Sequence, residues 1–163
     1  MGYNIAGLVI NHNYDHDMDA LAADLGVKIT VRKEINFEEA SKNWTNEGDF
    51  NVYFGKHGTL IFFAHSYAME GYQSRAYESM CFAYSATAMT FFVTYLDPQN
   101  GLSKFIMESE GTRMQNDGDT LPLEASNPTA DGLIFAMISK IMEENWHGID
   151  FGEKAFHCSF ARN

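Results

Sequence analysis

The chain has 163 residues, of which 45% are hydrophobic, so it is long enough for one domain with a sizeable core, and this composition argues against disorder. Its 22 acidic residues outnumber its 11 Lys and Arg residues, which gives a formal net charge of −11 at pH 7. This charge argues against nucleic acid or an anionic membrane as the partner, because both bind through basic patches, and it favours a basic protein partner.

The sequence predicts a cytoplasmic protein that has no membrane partner. The N-terminal segment lacks the basic start and the long apolar run of a secretory signal. No run approaches the roughly 20 apolar residues that a membrane helix needs. Cys81 and Cys158 each lie in an apolar context, which predicts buried free thiols in a reducing compartment.

The first third of the chain predicts the order strand, helix, strand, helix. A strand is expected over residues 3–10, followed by a helix over Met18–Leu25 that Asp17 caps and Gly26 ends. Residues 27–35 alternate between apolar and polar side chains, which indicates a half-exposed strand.

A second short helix is predicted to follow this strand directly. Asn36 is expected to be its N-cap, with Glu39 at the reciprocal position of a capping box. Its inward side chains are expected to be Phe37, Ala40 and Trp44.

The middle of the chain predicts two hairpins. Residues 50–55 and 59–65 flank the turn residues Lys56-His57-Gly58. Residues 89–96 and 102–110 flank a second turn, in which Asn100-Gly101 tolerates positive φ. Because this second hairpin is rich in aromatic and β-branched residues, we expect it to be the centre of the sheet.

Two segments around the second hairpin have weaker patterns. Residues 74–80 are either a helix or an irregular crossover, and residues 81–84 are expected to begin a strand. After the hairpin, residues 116–119 have the sequence Asn-Asp-Gly-Asp, which predicts a further hairpin turn.

The last third of the chain predicts its longest helix. Asn127 and Pro128 are favoured at the cap and the first helical position, and the helix is expected to reach about Trp146. Its inward stripe is Ile134, Met137, Ile138, Ile141 and Met142. The residues most strongly expected to be buried are Phe92, Ile138 and Ile141. A final strand is expected over residues 155–160.

These elements predict a single α+β domain over residues 1–163. We expect an antiparallel-rich sheet with two short N-terminal helices and one long C-terminal helix packed on one face. If the acidic regions 15–47 and 108–153 share a side of this sheet, they form one continuous negative field.

The densest polar cluster lies between the first strand and the first helix. The candidate metal ligands in it are His12, Asp15, His16 and Asp19. A calcium loop is incomplete here, because Ala20 stands where the sharp turn needs Gly. The alternative interpretation is a solvated loop in which Asp17 caps the helix and Asp19 complements its dipole.

The sequence predicts neither catalytic residues nor a cofactor. It contains no phosphate-binding glycine motif, no Gly-x-Ser-x-Gly and no Cys-x-x-Cys. Tyr and Met are concentrated in residues 67–80, and such residues are common on adaptable binding surfaces. The candidate partner-binding residues are Tyr67, Tyr72, Arg75 and Tyr77. Ordinary half-buried core residues are the alternative interpretation of this segment.

Two hypotheses for function follow. The first is a small acidic cytosolic interaction protein without catalytic activity, such as an inhibitor or an immunity-type protein that masks a basic partner. The second is a metal-dependent enzyme or metal-binding domain that uses the 12–19 loop. A sheet that pairs into a homodimer is a third possibility.

Overall fold

The computed structural model describes residues 3–42 and 45–162. The strands in these residues are β1 (Asn4–Ile10), β2 (Val27–Asn36), β3 (Asp49–Phe54), β4 (Thr59–Phe62), β5 (Ser79–Ser85), β6 (Thr90–Asp97), β7 (Leu102–Ser109), β8 (Thr112–Gly118) and β9 (Lys154–Arg162). The helices are α1 (Met18–Leu25), α2 (Phe37–Ala40), α3 (His65–Ala68) and α4 (Ala130–Met142), with short 3-10 turns at Tyr14–His16 and Trp146–Gly148. All nine strands described belong to one antiparallel sheet in the order β2-β9-β3-β4-β1-β5-β6-β7-β8.

Strand β1 lies at the centre of this sheet and is buried along its whole length. It pairs with β4 on one side and β5 on the other. Leu8, Val9 and Ile10 are each 0% exposed, as expected for a strand with both faces covered. Gly7 is required by close packing, since a Cβ there would lie 2.1 Å from the carbonyl oxygen of Ile61.

Each face of the sheet carries its own core. One core contains Phe37 of α2 and the whole inward stripe of α4, including Ile138 and Ile141. The other contains Leu21 and Leu25 of α1 together with Ala68 of α3. The prediction that all helices pack on one face is therefore wrong.

The predicted helix inventory is also wrong. The sheet dominates the fold, and the four helices described are short, with α4 the longest at 13 residues. Helix α3 was not predicted, because four residues are too few to show a helical period. No helix in residues 3–42 and 45–162 is long and apolar enough to cross a membrane.

The predicted caps of the two N-terminal helices are confirmed. Asp17 accepts a hydrogen bond from the Asp19 backbone N–H at 2.9 Å, and Gly26 ends α1 with a φ of 69°. Asn36 accepts one from the Glu39 backbone N–H at 2.8 Å. The expected inward position of Trp44 lies outside the described residues.

The β6–β7 hairpin is confirmed, and Phe92 is buried at 4% exposure, but the hairpin is not the centre of the sheet. The turn predicted at residues 116–119 is wrong, because residues 116–118 belong to β8. The chain turns instead at Glu110 and Gly111, whose φ angles are 51° and 79°. The turn-forming residues at 116–119 therefore do not mark the point where this hairpin reverses direction.

The predicted bounds of the longest helix are wrong at both ends. Its N-cap is Thr129, which accepts a hydrogen bond from the Gly132 backbone N–H at 3.4 Å. It ends at Met142, because Glu143 adopts a left-handed φ of 53°. Trp146 consequently lies in a separate 3-10 turn.

Two further segments complete the sheet. Residues 69–78 form the irregular crossover that was one of the two expectations, and β5 begins at Ser79. The expected final strand, β9, is confirmed and lies between β2 and β3. The two edge strands are β2 and β8, and both carry a β-bulge, a feature that disfavours pairing with a second sheet. The homodimer stays a prediction.

Candidate binding cleft

A cleft of about 770 Å³ opens on the α2 and α4 side of the sheet, beside the start of β1. Its aromatic lining residues are Tyr3, Phe37, Trp146 and Phe151. Its volume lies within the range of roughly 300–1,000 Å³ that is typical of ligand sites.

The floor of the cleft is apolar and closely packed. Phe37 is 2% exposed and Ile149 is 6% exposed. The ring of Trp146 meets Phe37 edge-on, with the centroids 5.7 Å apart. The Trp146 backbone N–H donates to the Ser139 hydroxyl at 3.0 Å, which fixes the 3-10 turn against α4. The floor is thus formed before any ligand arrives.

Tyr3 forms a second wall and joins β1 to the end of α2. Its hydroxyl donates a hydrogen bond to the carbonyl oxygen of Ser41 at 2.5 Å. Burial raises the pKa of Tyr3 to about 12, so the phenol stays neutral and keeps its proton for this bond.

Phe151 stands on the rim with 62% of its surface exposed. Its backbone is nevertheless held in place, since its carbonyl oxygen accepts a hydrogen bond from the Glu38 N–H at 3.1 Å. Two residues further on, the Glu153 carbonyl oxygen accepts from the Phe37 N–H at 2.8 Å. Phe151 stands beside the other aromatic rings of the cleft, and such a cluster, rather than a single exposed ring, is a feature of binding surfaces.

Charged side chains surround the aromatic rings. Glu38, Lys42 and Asp150 line the cleft, and all three are exposed. Asp150 uses Oδ1 to accept the Gly152 backbone N–H at 2.7 Å. In residues 3–42 and 45–162, no salt bridge involves Glu38 or Lys42. The rim therefore offers two carboxylates, Glu38 and Asp150, and one ammonium group that have no ionic partner in the described structure.

No family model, curated protein or solved structure matches this chain. The chain's own sites are therefore the evidence for its role, because function resides in a site rather than in a fold.

The predicted metal ligands have other partners in the structure. The His12 ring is stacked on Tyr77, with the centroids 3.9 Å apart. His16 Nε2 lies 3.1 Å from the carbonyl oxygen of Gly55, and its ring is stacked on Phe54. Asp15 and Asp19 are exposed. Within the described residues, no three His, Cys, Asp or Glu side chains are grouped so that they could hold a metal ion. The metal site stays a prediction that the arrangement of these side chains does not favour.

The same loop has an unusual backbone conformation. Tyr14, Asp15 and His16 are consecutive and have φ angles of 54°, 53° and 59°. A left-handed conformation costs non-glycine residues about 1–2 kcal/mol each. Hydrogen bonds hold the loop, among them one from the Tyr14 hydroxyl to Asp24 and one from the Asp17 N–H to the Tyr14 carbonyl oxygen at 3.0 Å. Asp and His are over-represented among the non-glycine residues with this conformation, so Asp15 and His16 are a weak signal for it in the sequence.

The structure divides the predicted partner-binding residues into two groups. Tyr67 and Tyr72 both pack against Phe160, and the Tyr67 hydroxyl accepts a hydrogen bond from a backbone N–H at 2.9 Å. Tyr77 lies instead beneath His12, and Arg75 is exposed beside α1. The three tyrosines therefore pack against other side chains, and partner binding by these residues stays a prediction.

Burial protects the two thiols in the folded protein. Both are free and buried, as the sequence predicts. Burial raises the pKa of Cys81 and of Cys158 to about 12, so both stay protonated near neutral pH. Burial and protonation both make a thiol a poor nucleophile and a poor metal ligand.

The cleft could not be predicted from the sequence, because its residues come from distant parts of the chain. Tyr3 and Ser41, which hydrogen bond across it, are 38 residues apart. The one local signal was the Asn145–Gly148 turn, which contains Trp146, since Asn and Gly are turn formers. Because the long helix was predicted to reach Trp146, this turn was not predicted.

Proposed function

We propose that this chain is a non-catalytic interaction protein that binds a basic protein partner through the aromatic cleft. The observation that carries the proposal is Phe151, a large apolar side chain that is 62% exposed although its backbone is hydrogen-bonded to α2. Aromatic anchors beside well-packed pockets dominate the energetics of many interfaces. The preformed floor under Trp146 supports the same role, since little has to be ordered on binding.

The net charge supports a basic partner. A charge of −11 attracts a positively charged protein over distance and raises its rate of association. The acidic regions are divided between the two faces, because α1 packs on one face whereas α2 and α4 pack on the other, where Glu38 and Asp150 line the same cleft. We therefore assign attraction to the overall charge and orientation to the cleft.

The proposal includes a cytoplasmic location and an inhibitory or immunity-type role. Two free, buried thiols are typical of proteins in a reducing compartment. Masking a partner needs a rigid binding surface rather than catalytic groups, and the cleft provides such a surface.

The test is a pull-down from native lysate with three immobilised baits: the unaltered chain, Phe151→Ser and Met114→Ser. Met114 is the matched control, because it is equally exposed at 65% but lies on the edge strand β8. We expect a basic protein to be retained by the unaltered chain and by Met114→Ser, and lost from Phe151→Ser. Retention should also fall when the salt is raised from 0.1 to 1 M, since the screening length shrinks from about 10 to about 3 Å.

Two outcomes contradict the proposal. In the first, the three baits retain the same proteins, so that Phe151 is not part of the interface. In the second, the protein lost from Phe151→Ser is acidic. Circular dichroism of each bait shows that the compared proteins are folded.

A metal-binding role for the 12–19 loop is the second candidate function. The run of three left-handed residues at Tyr14–His16 marks this loop as strained, and backbone strain clusters at functional sites, although the described His and Asp side chains are not grouped around a common point. Elemental analysis of purified protein and of His16→Ala tests it. Stoichiometric metal that is lost in the variant supports this role, and its absence from both proteins contradicts it.

A further inference from the structure

We infer that the cleft receives an arginine side chain of the partner, an inference that rests on the proposed function. Three properties of the cleft together suit a guanidinium group: it has exposed aromatic surface, carboxylates beside this surface and an apolar floor. Each has a separate basis in the structure.

The aromatic surface suits a planar cation. Trp146 is half-buried and Phe151 is exposed, so both rings have accessible area in the cleft. A guanidinium group stacks on aromatic faces and is attracted by their electron-rich centres, most strongly by Trp. Its aliphatic stem would lie along the floor made by Phe37 and Ile149.

The carboxylates suit a cation that donates several hydrogen bonds. Glu38 has no ionic partner in the described residues, and Asp150 uses only Oδ1 within the protein. The two residues belong to segments that are joined by the Glu38 N–H to Phe151 carbonyl hydrogen bond, at 3.1 Å. Arginine presents five donors in a fixed plane, whereas lysine presents a more strongly hydrated point charge.

Lys42 allows the inference to be tested by the direction in which the affinity for arginine changes. Its ammonium group lines the same cleft and repels a bound cation. Removing the Glu38 charge should therefore weaken arginine binding, and removing the Lys42 charge should strengthen it. A general disturbance of the cleft would weaken binding in both variants.

The probes are N-acetyl-arginine amide and N-acetyl-citrulline amide, which have nearly the same shape but differ in charge. Binding is followed by NMR through the indole N–H signal of Trp146, which is identified by its loss in Trp146→Phe. We expect saturable shifts with the arginine probe and at least about fivefold weaker binding of the citrulline probe, since a charge-assisted pair in a partly exposed site has this order of strength.

Three variants complete the experiment. Glu38→Gln should weaken binding of the arginine probe and Lys42→Gln should strengthen it, each by about two- to fivefold. Glu110→Gln is the matched control, because Glu110 is an exposed acid in the β7–β8 turn, and it should leave the affinity unchanged. Binding of the citrulline probe should be the same in all four proteins.

Equal binding of the two probes, no saturable shift with the arginine probe, or changes of the same sign in Glu38→Gln and Lys42→Gln would overturn the inference. Its failure is distinguishable from failure of the proposed function. If Phe151→Ser still retains the partner, the proposed function is wrong. If Phe151→Ser loses the partner but arginine is not preferred over citrulline, only the arginine assignment is wrong.

Discussion

At the scale of single residues, burial decides how the thiols respond to pH. Cys81 is 0% exposed, and its pKa is raised from the ordinary 9.0 to about 12 by the loss of hydration. In the unfolded chain the thiol loses its proton near the ordinary value. Between these two pKa values the unfolded state holds fewer protons, so the stabilisation present below pH 9 is lost as the pH rises towards 12.

We predict that Cys81→Ala makes the free energy of unfolding less dependent on pH between pH 8.5 and 10.5. The unaltered chain should lose up to about 1.4 kcal/mol per pH unit for each such thiol within this window. Urea unfolding at several pH values measures the slope, and the slope is independent of the cavity that the substitution leaves. Equal slopes in the two proteins would show that Cys81 does not control alkaline stability.

At the scale of the elements, the β7–β8 turn uses an unfavourable residue. Glu110 and Gly111 both have positive φ, the pattern of a type I′ turn, in which Asn-Gly is the preferred pair. Glu110 therefore bears a conformational cost that Asn would reduce.

We predict that Glu110→Asn raises the free energy of unfolding by about 0.5–1 kcal/mol. Gly111→Ala should lower it, because a φ of 79° is strained for any residue with a side chain. Thermal and urea unfolding of the three proteins give the comparison. A neutral or destabilising Glu110→Asn would mean that the turn geometry tolerates Glu without strain.

This turn also shows what could be predicted from the sequence. The caps of α1 could be predicted, because Asp17 and Gly26 act on backbone groups within a few residues of themselves. The β7–β8 turn could not, because strand pairing imposes positive φ on Glu110, while Asn116-Asp117-Gly118, which has turn chemistry, is drawn into β8. Tertiary pairing outweighed local preference here.

The same distinction applies to the cleft and to the loop. Trp146 could be recognised as an aromatic residue near a turn, but its contact with Phe37 depends on how α4 packs over the sheet. His12 and His16 could be recognised as possible ligands, but their stacking on Tyr77 and Phe54 follows from tertiary structure alone. The sequence therefore identified residues that could carry chemistry, but it did not identify the side chains that surround them in the fold.

At the scale of the whole molecule, the position of β9 makes it indispensable. Phe156 of β9 lies opposite Glu34 of β2 and Val52 of β3, so β9 pairs on both sides. A proline in such a strand removes a ladder hydrogen bond and distorts the pairing. The edge strand β8, in contrast, has only one neighbour.

We predict that Phe156→Pro lowers the free energy of unfolding by at least about 3 kcal/mol, while Met114→Pro at the bulge of β8 lowers it by less than half as much. Urea unfolding of both variants checks this. Similar losses would mean that β8 is as essential to the sheet as β9.

The insertion of β9 also has a consequence for synthesis. Arg32 of β2 hydrogen bonds to Ser159 of β9, 127 residues later in the chain. A ribosome adding about 5–20 residues per second therefore needs roughly 6–25 s to make the residues between them. During that time β2 and β3 have no strand between them, and their backbone groups on that side remain open to other chains. In the nascent protein, the backbone hydrogen-bonding groups of β2 and β3 that β9 later covers are exposed. The yield of folded protein in the cell should therefore depend on what protects these two strand edges until β9 is made.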